Sequence, residues 1–140
     1  VKDMAAKCVS SLGELLFHGL AVKPGKPAFA GTIGQTLEVG LPGHPAAAYF
    51  VFELLARPAI YALLGQTARE HTVSAKLTSA LPSNTGREEY IAVRLEQGAA
   101  EPLISKSGLI SVLSRADGYL CIPRDAEGLP KGTDVDVHLF

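Results

Sequence analysis

Apolar and polar positions follow two different periods along the 140 residues, and the change falls near residue 70. Met4, Ala5, Cys8, Val9 and Leu12 recur at helical spacing, with no capping residue before Val1, so the chain reads as opening in mid-helix and stopping at Gly13. "ELLFHGLAV" (Glu14–Val22) and "LEVGL" (Leu37–Leu41) read as buried strands, separated by a loop that Pro24, Gly25 and Pro27 punctuate. Pro45 opens a helical run, Pro58 divides it into two pieces, and Gly65 closes it. Helix, strand, loop, strand, helix is part of an α/β layered arrangement, in which ligands bind at the carboxyl ends of strands.

Beyond the polar stretch "GQTAREH" (Gly65–His71), read as a linker, the period becomes two. Val73, Ala75 and Leu77, then Ile91, Val93 and Leu95, then Val135, Val137 and Leu139 each alternate with polar or small neighbours, and "YLCIP" (Tyr119–Pro123) adds a strand. Turn-rich segments separate them, which predicts a small all-β barrel or sandwich of about 70 residues. The expected fold is therefore an α/β fragment over residues 1–68 followed by a β-barrel over 72–140.

Composition excludes several classes. A net charge of −1 gives no bulk attraction to nucleic acid or membranes, so any anion site must be local. Four Tyr, five Phe and no Trp are few for stacking bases. The longest apolar runs, Ala46–Ala56 and Pro58–Leu64, carry Glu53 and are split by Arg57, too short and interrupted for a bilayer span. Cys8 and Cys121 stand apart in unrelated contexts and read as reduced thiols, and no metal-ligand spacing is present.

Candidate chemistry concentrates in Ala21–Phe50. Lys23 and Lys26 flank Gly25 in a stiff Pro-Gly frame that can aim ammonium groups at a phosphate or oxyanion; a solvated turn fits the same residues. In "GLPGHP", Gly43 is read as a φ > 0 turn that lets backbone approach a ligand, while Pro42 and Pro45 shape the start of a helix with free amides. His44 in that turn can hydrogen-bond a ligand or serve only as a surface residue. Two such features about 20 residues apart favour one shared anion site. In the second half, Arg87 sits where its fork can grip a phosphate from a barrel rim, and Ser107 lies in the loop "SKSG" with a lysine and a second hydroxyl. No nucleophile elbow, Walker loop, HExxH or carboxylate pair is visible.

"HGLAVKPGKPAFAG", "VGLPGHPAAAYFVF", "GREEYIAVRL", "KSGLISVLSRADGYLCIP" and "LPKGTDVDVHLF", in this order, resemble the C-terminal part of the molybdopterin molybdotransferase family, the MoeA type, whose eukaryotic relative is the gephyrin E-domain. His44 departs from it, since the family usually has Asn there. The resemblance implies a cytoplasmic enzyme of molybdenum-cofactor synthesis that takes molybdopterin-adenylate, hydrolyses the adenylate with Mg²⁺ or Zn²⁺, and inserts molybdate. It implies an elongated homodimer of four-domain subunits that hands its product to a molybdoenzyme or cofactor-synthesis partner. Residues 1–68 would be the C-terminal part of a MogA-like molybdopterin-binding domain and 72–140 the fourth, β-barrel domain. Lys23, Lys26, Pro42, Gly43, His44 and Pro45, with Arg87 and Ser107 facing the cleft, would line the molybdopterin, phosphate and molybdate site. The family's acidic metal-binding residues would lie upstream, so the expectation is a fragment inactive alone. The alternative is a non-catalytic module that binds a partner peptide through the barrel.

Overall fold

The computed structural model describes residues 3–104 and 109–140, and the chain divides into two compact units: residues 1–20 with 25–68, and residues 21–24 with 69–140. In the first unit, helix α1 (Met4–Leu12) begins inside the described chain. Asp3 Oδ1 accepts the Ala5 and Ala6 amides at 3.1 and 3.2 Å, which revises the reading of an uncapped start: an aspartate is a strong N-cap, one residue from where the apolar spacing begins.

Three strands form an antiparallel sheet in the order β1 (Glu14–His18), β3 (Phe29–Ile33), β4 (Thr36–Gly40). The central strand lies partly where the sequence reading had a loop, and it pairs antiparallel with both neighbours. The turn Gly34-Gln35 explains this. Gly34 at φ +59° makes the two-residue hairpin loop that joins β3 to β4, and such a loop can only connect antiparallel neighbours. Ala6, Val9 and Phe29, with Leu15 and Ile33 against them, form the small core between α1 and the sheet.

Glycines let this layer close. Gly13 ends α1 in an extended conformation, not the left-handed one expected of a helix-ending glycine; glycine is required there because a Cβ would collide with the Thr32 carbonyl of β3. Gly40 lies under the Phe29 ring, its cross-strand partner, leaving the face of the ring no room for a side chain beneath it.

The helical run is continuous from Pro45 to Leu63: α2 (Pro45–Val51), a π turn (Phe52–Ala56) and α3 (Arg57–Leu63). Pro58 therefore does not divide it. The wider turn just before the proline takes up the missing donor and the clash of its ring with the preceding carbonyls, with the Arg57 amide reaching back to the Phe52 carbonyl. At 19 residues and mean hydropathy 1.4, this helix is long and apolar enough to cross a membrane, unlike the two interrupted pieces read from sequence. Length and composition do not separate a span from a core helix, and Glu53 pairs with Arg57 at 2.7 Å in its middle.

The second unit is a closed barrel. Strands β5 (Thr72–Leu77), β7 (Glu88–Glu96), β8 (Ala99–Pro102), β9 (Gly118–Ile122) and β11 (Asp134–Leu139) follow one another in the ring β7-β8-β5-β11-β9, and β9 pairs again with β7. The two-residue strand β2 (Val22–Lys23) adds to β7 in parallel, and β6 (Leu81–Pro82) pairs with β10 (Gly128–Leu129). Ala75, Leu77, Val93, Leu120, Ile122, Val135 and Val137 fill the interior, as the alternation requires. Tyr90 and Ala92, assigned outward by parity, are also buried: the Tyr119 ring lies across from Ala92 and meets Tyr90 edge-on at 5.9 Å, covering that face.

Gly13→Ala is expected to destabilise the chain by about 1–3 kcal/mol, because the added carbon meets backbone that cannot rotate away. Urea unfolding of the two proteins measures the difference, and equal midpoints would refute the steric reading.

Candidate functional site

The site residues expected from sequence fall in both units. Val22 and Lys23 belong to the barrel unit, held by β7: the Ala21 carbonyl accepts the Glu88 amide at 2.9 Å, and Lys23 aligns with Glu89. Lys23 is thus a strand residue, not the tip of a free turn. Its Nζ lies 2.6 Å from Glu89 Oε1, and Ser83 donates its hydroxyl to Glu89 Oε2 at 2.8 Å. Glu89 is 8% exposed. Gly25, at φ +129°, turns the chain back into the first unit, where Lys26 is exposed and its carbonyl accepts the Leu20 amide at 2.9 Å. One shared loop of two equivalent lysines is therefore not what forms. The lysines belong to different units, and Lys23 is already paired.

The Pro42–Pro45 turn follows β4 in the first unit. Pro42 is buried, and Gly43, His44 and Pro45 are exposed. Gly43 is not among the positive-φ glycines, so the expected left-handed turn does not occur; the extended backbone of His44 and the fixed ring of Pro42 redirect the chain instead. A Cβ on Gly43 would meet open space, so nothing within the chain itself requires glycine there. Pro45 occupies the first helical position, as read from sequence, and the Ala48 amide closes the first turn on the His44 carbonyl at 2.9 Å. His44 is the N-cap but its side chain makes no capping bond, and no acid lies in the first turn. The amides of the buried Ala46 and Ala47 are therefore left at the positive end of the helix without a side-chain acceptor, an arrangement suited to an anion.

Arg87 is exposed at the entry to β7, with no ion pair among the described residues. Ser107 lies outside the described residues. Among the described residues, no three His, Cys, Asp or Glu side chains converge to hold a metal ion.

Sequence reasoning missed Glu89 and Ser83. The signal was present in "GREEY": two adjacent glutamates at a strand start must point to opposite faces, so one faces inward. The other, Glu88, accepts the Tyr90 hydroxyl at 2.7 Å on the outer face. Burial, then that hydrogen bond to Glu88, holds the Tyr90 phenol far above its ordinary pKa. Burial, followed by the Glu88 charge, pushes the neighbouring, half-buried Cys121 thiol up as well.

Residues 74–140 match the family described as the MoeA C-terminal region (domain IV). Across 99% of its length the chain is 32% identical to a Methanocaldococcus jannaschii protein named for molybdopterin biosynthesis, of which it covers 33%. Across 92% it is 31% identical to molybdopterin molybdenumtransferase 1 of Mycobacterium tuberculosis, again covering 33%. A crystal structure of the molybdopterin biosynthesis MoeA protein from Pyrococcus horikoshii superposes with a TM-score of 0.88 at 34% identity, over 98% of this chain and 34% of the other. The chain thus spans about a third of the length of the curated relatives it matches.

Three outcomes follow from this geometry. His44→Asn supplies the missing cap and is expected to raise stability by about 0.5–1 kcal/mol, read as a higher thermal midpoint. Iodoacetamide at pH 8 is expected to label Cys8 well before Cys121 by mass spectrometry; equal rates would contradict the burial argument. Tyr90, an acid whose pKa is higher folded than unfolded, stabilises the fold below its unfolded pKa of about 10 and loses that contribution as pH rises above it. Stability should therefore fall above about pH 10, and less steeply in Tyr90→Phe.

Proposed function

Since the chain belongs to the MoeA family and matches the C-terminal region of its members, we propose that it forms part of a molybdopterin molybdenumtransferase, where it contributes anion-binding groups for molybdopterin-adenylate and molybdate. The observation that carries this reading is the helix start after Gly43: uncapped amides at Ala46 and Ala47, no acid in the first turn, and open space over the glycine. Phosphate, adenylate phosphate and molybdate are all oxyanions, and such donors stabilise negative charge without rearranging. In this reading Lys26 and the Pro42–Pro45 turn serve in the first unit and Lys23 and Arg87 in the second, with Ser107 assigned the same role from sequence alone.

The first unit is proposed as the C-terminal part of a MogA-like molybdopterin-binding domain, and residues 72–140 as the C-terminal barrel domain. We assign the parent enzyme to the cytoplasm as a homodimer, as the family resemblance implies; the exposed Leu12, Leu16, Ile60 and Leu63 of the first unit need cover from further protein. The parent's Mg²⁺ does not fit the described side chains, since no acidic or imidazole cluster is available, and no step is assigned to it in this chain. Transfer of molybdate is accordingly a property of the longer enzyme, and the chain alone is expected to bind without turnover.

Calorimetric titration of the chain with molybdate tests the reading. Saturable binding is expected, weakened about tenfold or more in Lys26→Ala, as for loss of one charge-assisted hydrogen bond. Absent binding, or equal binding by the variant, would overturn it.

A further inference from the structure

Glu89 stands out among the described residues as a buried charged side chain inside an otherwise apolar barrel. Both of its oxygens are occupied, Oε1 by the Lys23 ammonium and Oε2 by the Ser83 hydroxyl. The backbone beneath is fixed too, because Lys23 and Glu89 stand in register in the parallel β2–β7 pair and Val22 is buried beside them. An apolar pair of similar volume would hold β2 to β7 at least as well, since burying a charge is costly even when it is paired. What the ion pair adds is direction. The Lys23 side chain remains 53% exposed, so one donor of the ammonium is held by Glu89 while the others face solvent.

We infer that Glu89, buttressed by Ser83, is a positioning residue that holds the Lys23 ammonium ready for an oxyanion at the end of the barrel. The inference rests on the anion-binding reading of Lys23 proposed above. A lysine stem normally loses much rotamer freedom when it grips a ligand, and ordering it on folding removes that loss from the binding step. Lys26, with no ion pair among the described residues, lacks this preparation. A fixed carboxylate also sets a limit. It cancels part of the lysine's charge, so the position favours an anion that can meet the exposed donors directionally over diffuse attraction of any anion.

The experiment titrates molybdate into the wild-type chain, Lys23→Ala, Glu89→Gln and Ser83→Ala, with thermal midpoints recorded alongside. ¹⁵N–¹H spectra of the lysine ammonium groups supply a readout that fold stability alone does not move. Positioning predicts that Glu89→Gln weakens binding about fivefold or more and Ser83→Ala by a smaller factor, each tracking loss of a slowly exchanging Lys23 ammonium signal. Should Glu89→Gln fail to fold, Ser83→Ala alone decides: undiminished affinity with an unchanged ammonium signal overturns the inference. If Lys23→Ala weakens binding while Glu89→Gln leaves it unchanged or tighter, the carboxylate is a competitor and the inference fails with the anion reading intact. If Lys23→Ala binds as wild type, or wild type does not bind, the anion reading of Lys23 fails and the inference with it.

Discussion

The constraint on which the barrel depends is that one strand, Glu88–Glu96, must satisfy both of its backbone edges. Along one edge it pairs with β9, which closes the ring; along the other it receives β8 beside its later residues and β2 beside its first two. A strand so engaged presents no free edge to another chain. Asp117 serves this closure where β9 begins: its carboxylate accepts the Leu95 amide at 2.7 Å, and its own amide donates to the Val93 carbonyl at 2.9 Å. The next residue must be glycine, because a Cβ on Gly118 would collide with the His138 carbonyl of β11.

The second-half strands were readable because burial on one face writes itself as alternation. Val93, Val135 and Val137 lie inside as their spacing requires, whereas Val73 and Leu139 at strand ends are exposed, where the closed interior no longer reaches. In the first half, Glu14–His18 reads as an unbroken apolar run and Phe29–Ile33 mixes alanine and glycine with threonine, so neither carries a clean alternation. Phe29–Ile33 was lost among prolines and glycines even though Gly34-Gln35 marks a hairpin. The continuous helix through Pro58 was unreadable for another reason: a π turn is a backbone adjustment with no side-chain signature of its own.

At the candidate site, residue types were legible and their company was not. Lys23 was visible as a cation, but its carboxylate partner lies far along the chain, brought to it by a parallel pairing that no local period encodes. The turn at Pro42–Pro45 was placed correctly, while the torsion assigned to Gly43 was not, since prolines and an extended residue can bend a chain without left-handed backbone. His44 stands at the N-cap without making the side-chain bond that an Asn or Asp there would make, which leaves the first-turn amides open.

The short strand contributed by residues 21–24 has a consequence for the order of events during synthesis. It leaves the ribosome long before the strand it must join, and until Glu88–Glu96 follows, Val22 has no barrel to enter. The first unit can assemble its own layer around α1 and the antiparallel sheet in that interval, but the segment threaded between Leu20 and Gly25 has to wait. The last strand, Asp134–Leu139, then joins β5 to β9 and completes the ring. Maturation of the barrel therefore waits until Asp134–Leu139 has been synthesised, with an apolar valine and an unpaired ammonium exposed in the nascent chain until then.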